Sequence, residues 1–293
     1  MIRIAQLDLD DPYCEKAIIN LISLAFRSEK VKKGYLKKYI HTESTSQPSI
    51  FLGAFEGEQM IGCNAFIAND FFFNNTSALC FQSCWSATDP QYRGQGVFFK
   101  IQETAKVILK EKGASLIFGL PNHMSKSIFT KRLHFSEEDA LSVRIPNIKF
   151  LRNIWINKFS QQNHILHDAL ISNEPQIIEL KKNLNPTLIQ IKINYSLIWG
   201  KISTRRKYGY DWRIFSIGGL SIHSQRDFQL LINEVFRQKC HFIEIASCKL
   251  NTNNHLFRFW KNIDHSQFIF FFLNAEKGSF KNFNLMGGVS DTF

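Results

Sequence analysis

Long apolar segments are missing from this chain of 293 residues. A membrane-spanning helix needs about 18 or more consecutive apolar residues. The most apolar stretch, residues 268–273, has only the length of a strand. The first residues are acidic and lack the apolar core of a signal peptide. We therefore expect a cytoplasmic protein with no membrane span.

Cysteine is scarce, with six residues that are too few and too scattered for a disulfide scaffold. Cys80 and Cys84 are four residues apart, but no second ligand pair follows nearby, so the spacing argues against a zinc site. We interpret both as buried thiols and expect no metal in this protein.

Acidic residues are in the minority, because 36 Lys and Arg stand against 25 Asp and Glu. The resulting net charge of +11 divides into +3 for residues 1–150 and +8 for residues 151–293. This excess favours an anionic ligand, such as a phosphorylated cofactor or a nucleotide-linked substrate. A nucleic-acid binder would need a clustered basic stripe with interleaved aromatics. The charges are dispersed, so we expect no nucleic-acid partner. The densest cluster, Arg205, Arg206 and Lys207, is predicted to be a solvated loop.

Hydrophobic periodicity predicts alternating strands and helices in the first half of the chain. The predicted strands are residues 2–7, 49–55, 60–68, 79–88, 115–120 and 142–145. The predicted helices are residues 11–26, 31–41, 97–113 and 125–133.

The second half repeats this order in a weaker form. Strands are predicted at 212–217, 242–247 and 267–273, and helices at 226–239 and 254–261. The repetition suggests a degenerate duplication. We predict a first lobe at 1–148, a polar connecting segment at 149–187 and a second lobe at 188–293.

A glycine-containing turn separates the predicted strand at 79–88 from the amphipathic helix that follows. Gln91, Gly94 and Gly96 form the pattern Gln-x-x-Gly-x-Gly directly before this helix. A helix N-terminus presents unpaired N–H groups and a positive dipole, and glycines let a phosphate approach the backbone. The pattern predicts an anion site, although such a turn is also often purely structural. Phe99 and the lack of Gly-Lys-Ser/Thr disfavour the three-glycine dinucleotide fingerprint and the P-loop.

Residues 83–135 resemble the GNAT superfamily of acyl-CoA-dependent N-acyltransferases. The glycine pattern fits the family's Q/R-x-x-G-x-G/A motif, and Asn122, Ser125 and Phe129 follow its second signature. The resemblance implies an α+β fold of the GNAT type. Its central, mostly antiparallel sheet would be splayed and flanked by helices, and a second GNAT-like lobe would follow.

The resemblance also implies acetyl transfer from acetyl-CoA to an amine by direct attack, without a metal. The N–H groups of residues 93–97 would hold the pyrophosphate. The pantetheine arm would lie where the strand ending at Thr88 splays from the strand beginning at Ser115. A backbone N–H near residues 84–86 would polarise the acetyl carbonyl. The residues expected to contact coenzyme A are Ser86, Ala87, Thr88, Gln91, Arg93, Gly94, Gln95, Gly96, Val97, Asn122, Ser125 and Phe129.

His123 and Ser86 are the candidate catalytic residues. His123 follows Asn122 at the mouth of the expected cleft, where it could be a general base or contact the substrate. Ser86 lies where the acetyl carbonyl is expected. Cys84 lies there too, but a nucleophilic thiol would need an activating base that the sequence does not place.

The family resemblance is incomplete at three positions around the second signature. Phe129 stands where many members have a tyrosine that protonates the leaving thiolate, and its spacing also fits core packing. One more residue precedes Phe135 than the family pattern has. His134 replaces a glycine and is predicted to be a turn or packing residue, and Tyr92 a surface aromatic.

The two-lobe length and the terminal residues 287–293 are similar to acyltransferases of surface-polysaccharide and amino-sugar synthesis. This implies an amino-sugar acceptor, free or nucleotide-linked. The second lobe lacks the glycine pattern, so we expect it to form a wall of the acceptor site. Two alternatives stay open. One is acylation of a protein, peptide or antibiotic amine, and the other is a non-catalytic module that binds acyl-CoA or a partner.

Overall fold

A computed structural model describes the chain in segments. They are residues 1–27, 33–40, 46–73, 76–151, 153–154, 169–172, 177–179, 181–182, 187–247, 261–273 and 282–284. The chain forms two compact units, the first of residues 1–137 and 268–279, the second of residues 138–267 and 280–293. This division differs from the predicted lobes, because a segment late in the sequence belongs to the first unit. The roles assigned to the two lobes stay predictions.

The described elements are strands, helices and three short turns. The strands are β1 (Ile2–Gln6), β2 (Ile50–Glu56), β3 (Gln59–Phe73), β4 (Thr76–Thr88), β5 (Leu116–Gly119), β6 (Ser136–Pro146), β7 (Ala169–Ser172), β8 (Ile189–Ile193), β9 (Ser196–Lys207), β10 (Tyr210–Ser221), β11 (Phe242–Ser247), β12 (Lys261–Phe272) and β13 (Asn282–Asn284). The helices are α1 (Pro12–Phe26), α2 (Tyr35–Ile40), α3 (Val97–Glu111), α4 (His123–Ser127) and α5 (Gln225–Arg237). The turns are 3₁₀ at Pro90–Tyr92 and Lys149–Leu151 and π-helical at Ile128–Arg132.

The sheet of the first unit has the strand order β1, β2, β3, β4, β5 and β12. The pairs from β1 to β4 are antiparallel, β5 is parallel to β4, and β12 is antiparallel to β5. The predicted mixed, mostly antiparallel fold is therefore confirmed. The register of β12 against β5 runs from Ile269 opposite Gly119 to Phe272 opposite Leu116. The sequence predicts this strand but assigns it to the second lobe. In the structure, its residues from 268 onward belong to the first unit.

Helices cover both faces of the first sheet. Residues 50–54 of β2 are all buried, and because neighbouring strand residues point to opposite faces, both faces must be covered. Helix α3 packs Ile101, Ala105 and Leu109 into one core cluster with the sheet. These residues are four apart, which is the spacing of one helical face. Helix α1 contacts β3 and β4.

The second unit contains further strands and a helix. Strands β8, β9 and β10 are antiparallel neighbours, β11 is parallel to β10, and β6 is antiparallel to β11. Helix α5 packs Phe228, Leu231 and Val235 against Phe215 and Ile243. Strands β7 and β13 pair in parallel. Within the described ranges of both units, no helix is long and apolar enough to cross a membrane.

Two predictions for the second half need correction. Arg205, Arg206 and Lys207 are the exposed end of β9 rather than a loop, and the sequence pattern predicts no strand at the positions of β8 and β9. The helix predicted at 254–261 lies outside the described residues, except for Lys261, which begins β12. The helix predicted at 226–239 and the strand at 242–247 are confirmed by α5 and β11.

Gly62 of β3 allows the first turn of α3 to approach the sheet. A Cβ at this position would lie 2.5 Å from Cγ1 of Val97. We expect Gly62→Ala to lower the free energy of unfolding by about 1–3 kcal/mol, because overpacking forces side chains from their rotamers. Urea denaturation measures this loss. The double change with Val97→Ala should be more stable than the sum of the single changes. If the effects of the two changes on the free energy of unfolding simply added, a contact between position 62 and Val97 would be contradicted.

Candidate active site

Helix α3 begins without a side-chain cap. Its N-cap residue, Gly96, has a left-handed φ of 78°. By contrast, Asp11 caps α1 by accepting from the N–H of Tyr13 at 2.9 Å, and Ser224 caps α5 by accepting from the N–H of Asp227 at 3.1 Å. Glycine has no side-chain acceptor, so the first N–H groups of α3 stay open to an anionic ligand.

The loop before α3 leaves more backbone open. The N–H groups of Arg93 and Gln95 donate within the loop over 3.5 and 3.4 Å, which are long distances. Gly94 has a φ of 82°, and a Cβ at Gly94 or Gly96 would meet no atom within 4 Å. Residues 93–95 are exposed, so an anion could reach their backbone, and the pyrophosphate site at 93–97 stays a prediction.

Side chains of the glycine pattern hold this loop in shape. Asp89 is buried and accepts from the N–H of Gln91 at 2.9 Å. An Nη atom of Arg93 donates to the carbonyl of Ala25 at 3.0 Å, and Nε2 of Gln95 donates to the carbonyl of Gln91 at 3.1 Å. The predicted contacts of Gln91, Arg93 and Gln95 with coenzyme A stay predictions.

Strand β4 continues past its partner β5. The parallel ladder between them runs only from Cys80 opposite Leu116 to Gln82 opposite Phe118. Strand β5 ends at Gly119, whereas β4 continues to Thr88. The stretch of β4 that includes Ser86, Ala87 and Thr88 therefore lies beyond the ladder, on the side where the pantetheine arm is predicted to bind.

A β-bulge interrupts β4 within this stretch. Two residues, Trp85 and Ser86, lie opposite the single residue Asn64 of β3. Trp85 has a φ of 51°, a left-handed conformation that bulky residues rarely adopt. Bulges bend a strand and redirect its backbone groups, and they are frequent beside active sites.

The Ser86 hydroxyl is engaged in the bulge, where it donates to Oδ1 of Asn64. Gln102 of α3 joins the same group of side chains by donating to Oγ of Ser83 at 3.0 Å. Neither Asn64 nor Gln102 is among the site residues predicted from the sequence. A signal was available for Gln102, because a polar residue next to Ile101 falls on the apolar face of α3.

The second signature forms the start of α4. Asn122 caps this helix by accepting from the N–H groups of Met124 at 3.0 Å and Ser125 at 2.9 Å. His123 is its first residue. The roles of Asn122, His123 and Ser125 toward coenzyme A or the acceptor stay predictions.

Phe129 is 4% exposed and belongs to the core cluster of the first unit. Its ring makes edge contacts with Phe98 and Phe135 at centroid distances of 5.2 and 4.9 Å. The interpretation of Phe129 as core packing is confirmed, and its predicted contact with coenzyme A stays a prediction.

A π-helical turn accommodates the additional residue before Phe135. The N–H of Leu133 donates to the carbonyl of Ile128, five residues earlier, at 3.0 Å. His134 then has a left-handed φ of 58° and is exposed, as expected for a turn. Glycine adopts this conformation without strain, which explains why the family usually has glycine there.

Tyr92 lies within the glycine loop, and its hydroxyl donates to Oε2 of Glu56 at 2.8 Å. This hydrogen bond raises the pKa of Tyr92. Cys63, Cys80 and Cys84 are buried, and burial raises the pKa of Cys63 to about 12. No cluster of three or more metal-ligating side chains occurs among the residues described.

We expect maleimide at mildly alkaline pH to leave Cys63, Cys80 and Cys84 unlabelled in the folded protein. Burial raises the pKa of Cys63 and Cys80, so these two thiols stay protonated, and burial blocks access to all three. The half-buried Cys14, whose pKa burial also raises, serves as the internal reference for access, and peptide mass spectrometry reads out each site. Rapid labelling of Cys63 before unfolding would contradict its burial.

Comparison with known proteins places the site in a family. Residues 14–135 match the acetyltransferase (GNAT) domain. No curated protein matches this sequence.

Solved structures share the fold over nearly the whole chain. A conserved Enterococcus faecalis V583 protein of unknown function, a probable N-acyltransferase, has a TM-score of 0.62 and 13% identity, over 96% of this chain and 74% of that one. A GCN5-related N-acetyltransferase from Kribbella flavida has a TM-score of 0.59 and 11% identity, over 94% and 73%. A GCN5-related N-acetyltransferase from Anabaena variabilis ATCC 29413 has a TM-score of 0.59 and 14% identity, over 94% of this chain and 73% of that one.

The open glycine loop, the strand that continues past its partner and the matching domain define a GNAT fold in the first unit. Residues 14–135 thus match a GNAT acetyltransferase domain, and the solved N-acyltransferase structures are similar to this chain in fold.

Proposed function

We propose that the protein transfers the acetyl group of acetyl-CoA to the amine of a small acceptor, an amino sugar. One observation carries this proposal: the uncapped N-terminus of α3 adjoins a strand, β4, that runs beyond the ladder with β5. The loop would bind the pyrophosphate, and the part of β4 beyond the ladder with β5 would bind the pantetheine arm. Coenzyme A held at both its pyrophosphate and its pantetheine arm would have its thioester beside the bulge of β4.

The reaction is a direct displacement. The amine nitrogen attacks the thioester carbonyl carbon, a C–N bond forms, the C–S bond breaks, and the thiolate leaves. Backbone N–H groups near residues 84–86 would stabilise the negative charge that develops on the carbonyl oxygen. Fixed orientation of the two reactants would supply most of the remaining acceleration.

Few side chains of the proposed site could take the proton from the amine or give one to the thiolate. The amine must lose a proton, and His123, next to the cap residue Asn122, is the general base that we propose. Ser86 already donates its hydroxyl proton to Asn64, so we assign it to shaping the bulge. The Tyr92 phenol is bonded to Glu56, and Phe129 has no proton to give. The thiolate would then take its proton from solvent.

The amino-sugar acceptor is supported by the resemblance in length and terminal residues and by charge in the second unit. Lys201 and Arg205 point to the same face of β9, because they are four residues apart in a strand. Burial and the nearby Arg205 lower the pKa of Lys201. Arg205 lies 3.8 Å from Oε1 of Glu244, and the remaining positive charge at this end of β9 would favour a phosphate-bearing acceptor, which is why a nucleotide-linked amino sugar is included in the test.

Thiol release from acetyl-CoA, measured across a panel of amines, tests this function. The panel contains free and nucleotide-linked amino sugars, a peptide amine and an aminoglycoside. We expect the highest kcat/KM for an amino sugar and an N-acetylated product by mass spectrometry. Preference for a peptide or antibiotic amine would establish the alternative acceptor. Coenzyme A binding without turnover of any amine would favour the non-catalytic module.

Replacing Gly94 by leucine tests the pyrophosphate loop. The side chain would project into the open space over the loop, so the Kd for coenzyme A should rise at least about tenfold. The left-handed φ adds a backbone cost of about 1–2 kcal/mol. Gly113→Leu is the matched control at the other end of α3, because Gly113 has a φ of 80° and a Cβ placed there would meet no atom within 4 Å. Calorimetry should show the loss of affinity for Gly94→Leu alone. Equal affinity of both variants would refute the assignment.

A further inference from the structure

Four polar side chains lie together behind the bulge of β4. We call Asn64, Ser83, Ser86 and Gln102 the bulge network. Asn64 and Gln102 are 0% exposed and Ser83 is 8% exposed. Buried polar groups are costly unless they are hydrogen-bonded, so such a cluster needs a reason within the site or the core.

Hydrogen bonds join all four side chains of the bulge network. Nδ2 of Asn64 donates to Oγ of Ser83 at 3.1 Å, and Oδ1 of Asn64 accepts from the Ser86 hydroxyl. Nε2 of Gln102 donates to Oγ of Ser83 at 3.0 Å and reaches Oδ1 of Asn64 at 3.4 Å. The network thus connects strand β3, both sides of the bulge in β4, and helix α3.

The bulge network is neither an acid nor a base. None of its four side chains titrates in the physiological range, so it cannot store a proton for the reaction. Oε1 of Gln102 has no hydrogen-bond partner in the described chain. A buried, unpaired carbonyl lowers stability, and an apolar residue of the same length would avoid this cost. Stability alone therefore does not explain Gln102.

We propose that Gln102 and Asn64 are positioning residues that fix the β4 bulge relative to helix α3. This inference rests on the proposed function. Gln102 is anchored in the helix whose N-terminus would hold the pyrophosphate, and Asn64 holds Ser86 in the bulge where the thioester would lie. The network is therefore a polar link between the two elements that would bind the opposite ends of coenzyme A.

The spacing of these two elements matters because pantetheine is a flexible arm. An acyl group held at both ends reacts well only if its carbonyl meets the amine in the correct orientation, and a small displacement lowers the rate strongly. The apolar contacts of α3 at Ile101 and Ala105 restrain the helix but carry no directional bonds to the bulge. The hydrogen bonds of Gln102 to Ser83 and Asn64 are the directional link between α3 and the strands that form the bulge.

Gln102→Met and Asn64→Leu test the inference. Methionine matches the length of glutamine, and after this change Ser83 and Ser86 still bond to Asn64. We expect Gln102→Met to melt at the wild-type temperature or higher. Calorimetry should show coenzyme A binding weakened at least about tenfold and ADP binding changed by less than about twofold. ADP serves as the probe for the pyrophosphate loop because it lacks the pantetheine arm.

Matched controls separate positioning from general damage. Asn69→Leu removes another buried asparagine of β3, one that donates to the carbonyl of Ile67 at 2.9 Å outside the network. Lys110→Met changes an exposed residue of α3. For both controls, the ratio of the Kd values for coenzyme A and ADP should equal the wild-type ratio. Hydrogen exchange of the β4 peptide 83–88 should accelerate in Gln102→Met and Asn64→Leu only.

The outcomes are distinguishable. Unchanged coenzyme A affinity in Gln102→Met, or equal loss of coenzyme A and ADP, would overturn the positioning role while leaving the proposed function in place. Wild-type protein that binds neither ligand would overturn the proposed function, and the inference with it. Selective loss of coenzyme A with an intact melting temperature supports the inference.

Discussion

The close packing of the first turn of α3 on β3 is the contact on which the site depends. Gly62 allows it, because any larger residue would meet Val97. The contact brings uncapped N–H groups next to β4 at the point where that strand continues beyond β5. A side-chain cap at position 96 would satisfy those N–H groups internally, and a longer ladder with β5 would satisfy the edge of β4. The proposed anion site depends on the missing side-chain cap of α3, and the proposed arm site depends on the early end of the β4–β5 ladder.

Three unfavourable features occur in this part of the first unit. Trp85 has a left-handed backbone, α3 lacks a side-chain cap, and Gln102 has a buried oxygen without a partner. Each costs about 1–3 kcal/mol in proteins generally. Proteins retain such costs where a site requires them. The apolar contacts of α3 and the sheet supply the stability that offsets them, since one buried aliphatic side chain contributes about 1.5–3 kcal/mol.

The sequence allows prediction of the parts of the fold that depend on local pattern. The periodicity of α3 and the glycines at 94 and 96 are readable because each residue's role is set by its neighbours in sequence. The return of β12 to β5 is set by pairing between distant segments, and no local pattern encodes it. Strand β9 was missed because its end, at Arg205 to Lys207, is charged and exposed on a sheet. The bulge network was missed because Asn64 becomes buried only through the register of β3 against β4.

The second unit also combines strands with a helix, α5. The N-terminus of α5 has a side-chain cap, whereas that of α3 has none. Ser224 caps α5, and the carboxylate of Asp227 lies in its first turn. Asn194 and Ser196 donate to that carboxylate at 2.7 and 3.1 Å, and these bonds lower the pKa of Asp227. An ionised carboxylate at a helix N-terminus occupies the favourable electrostatic position and repels a phosphate. The physical difference between the two helices therefore argues against an anion site at the N-terminus of α5.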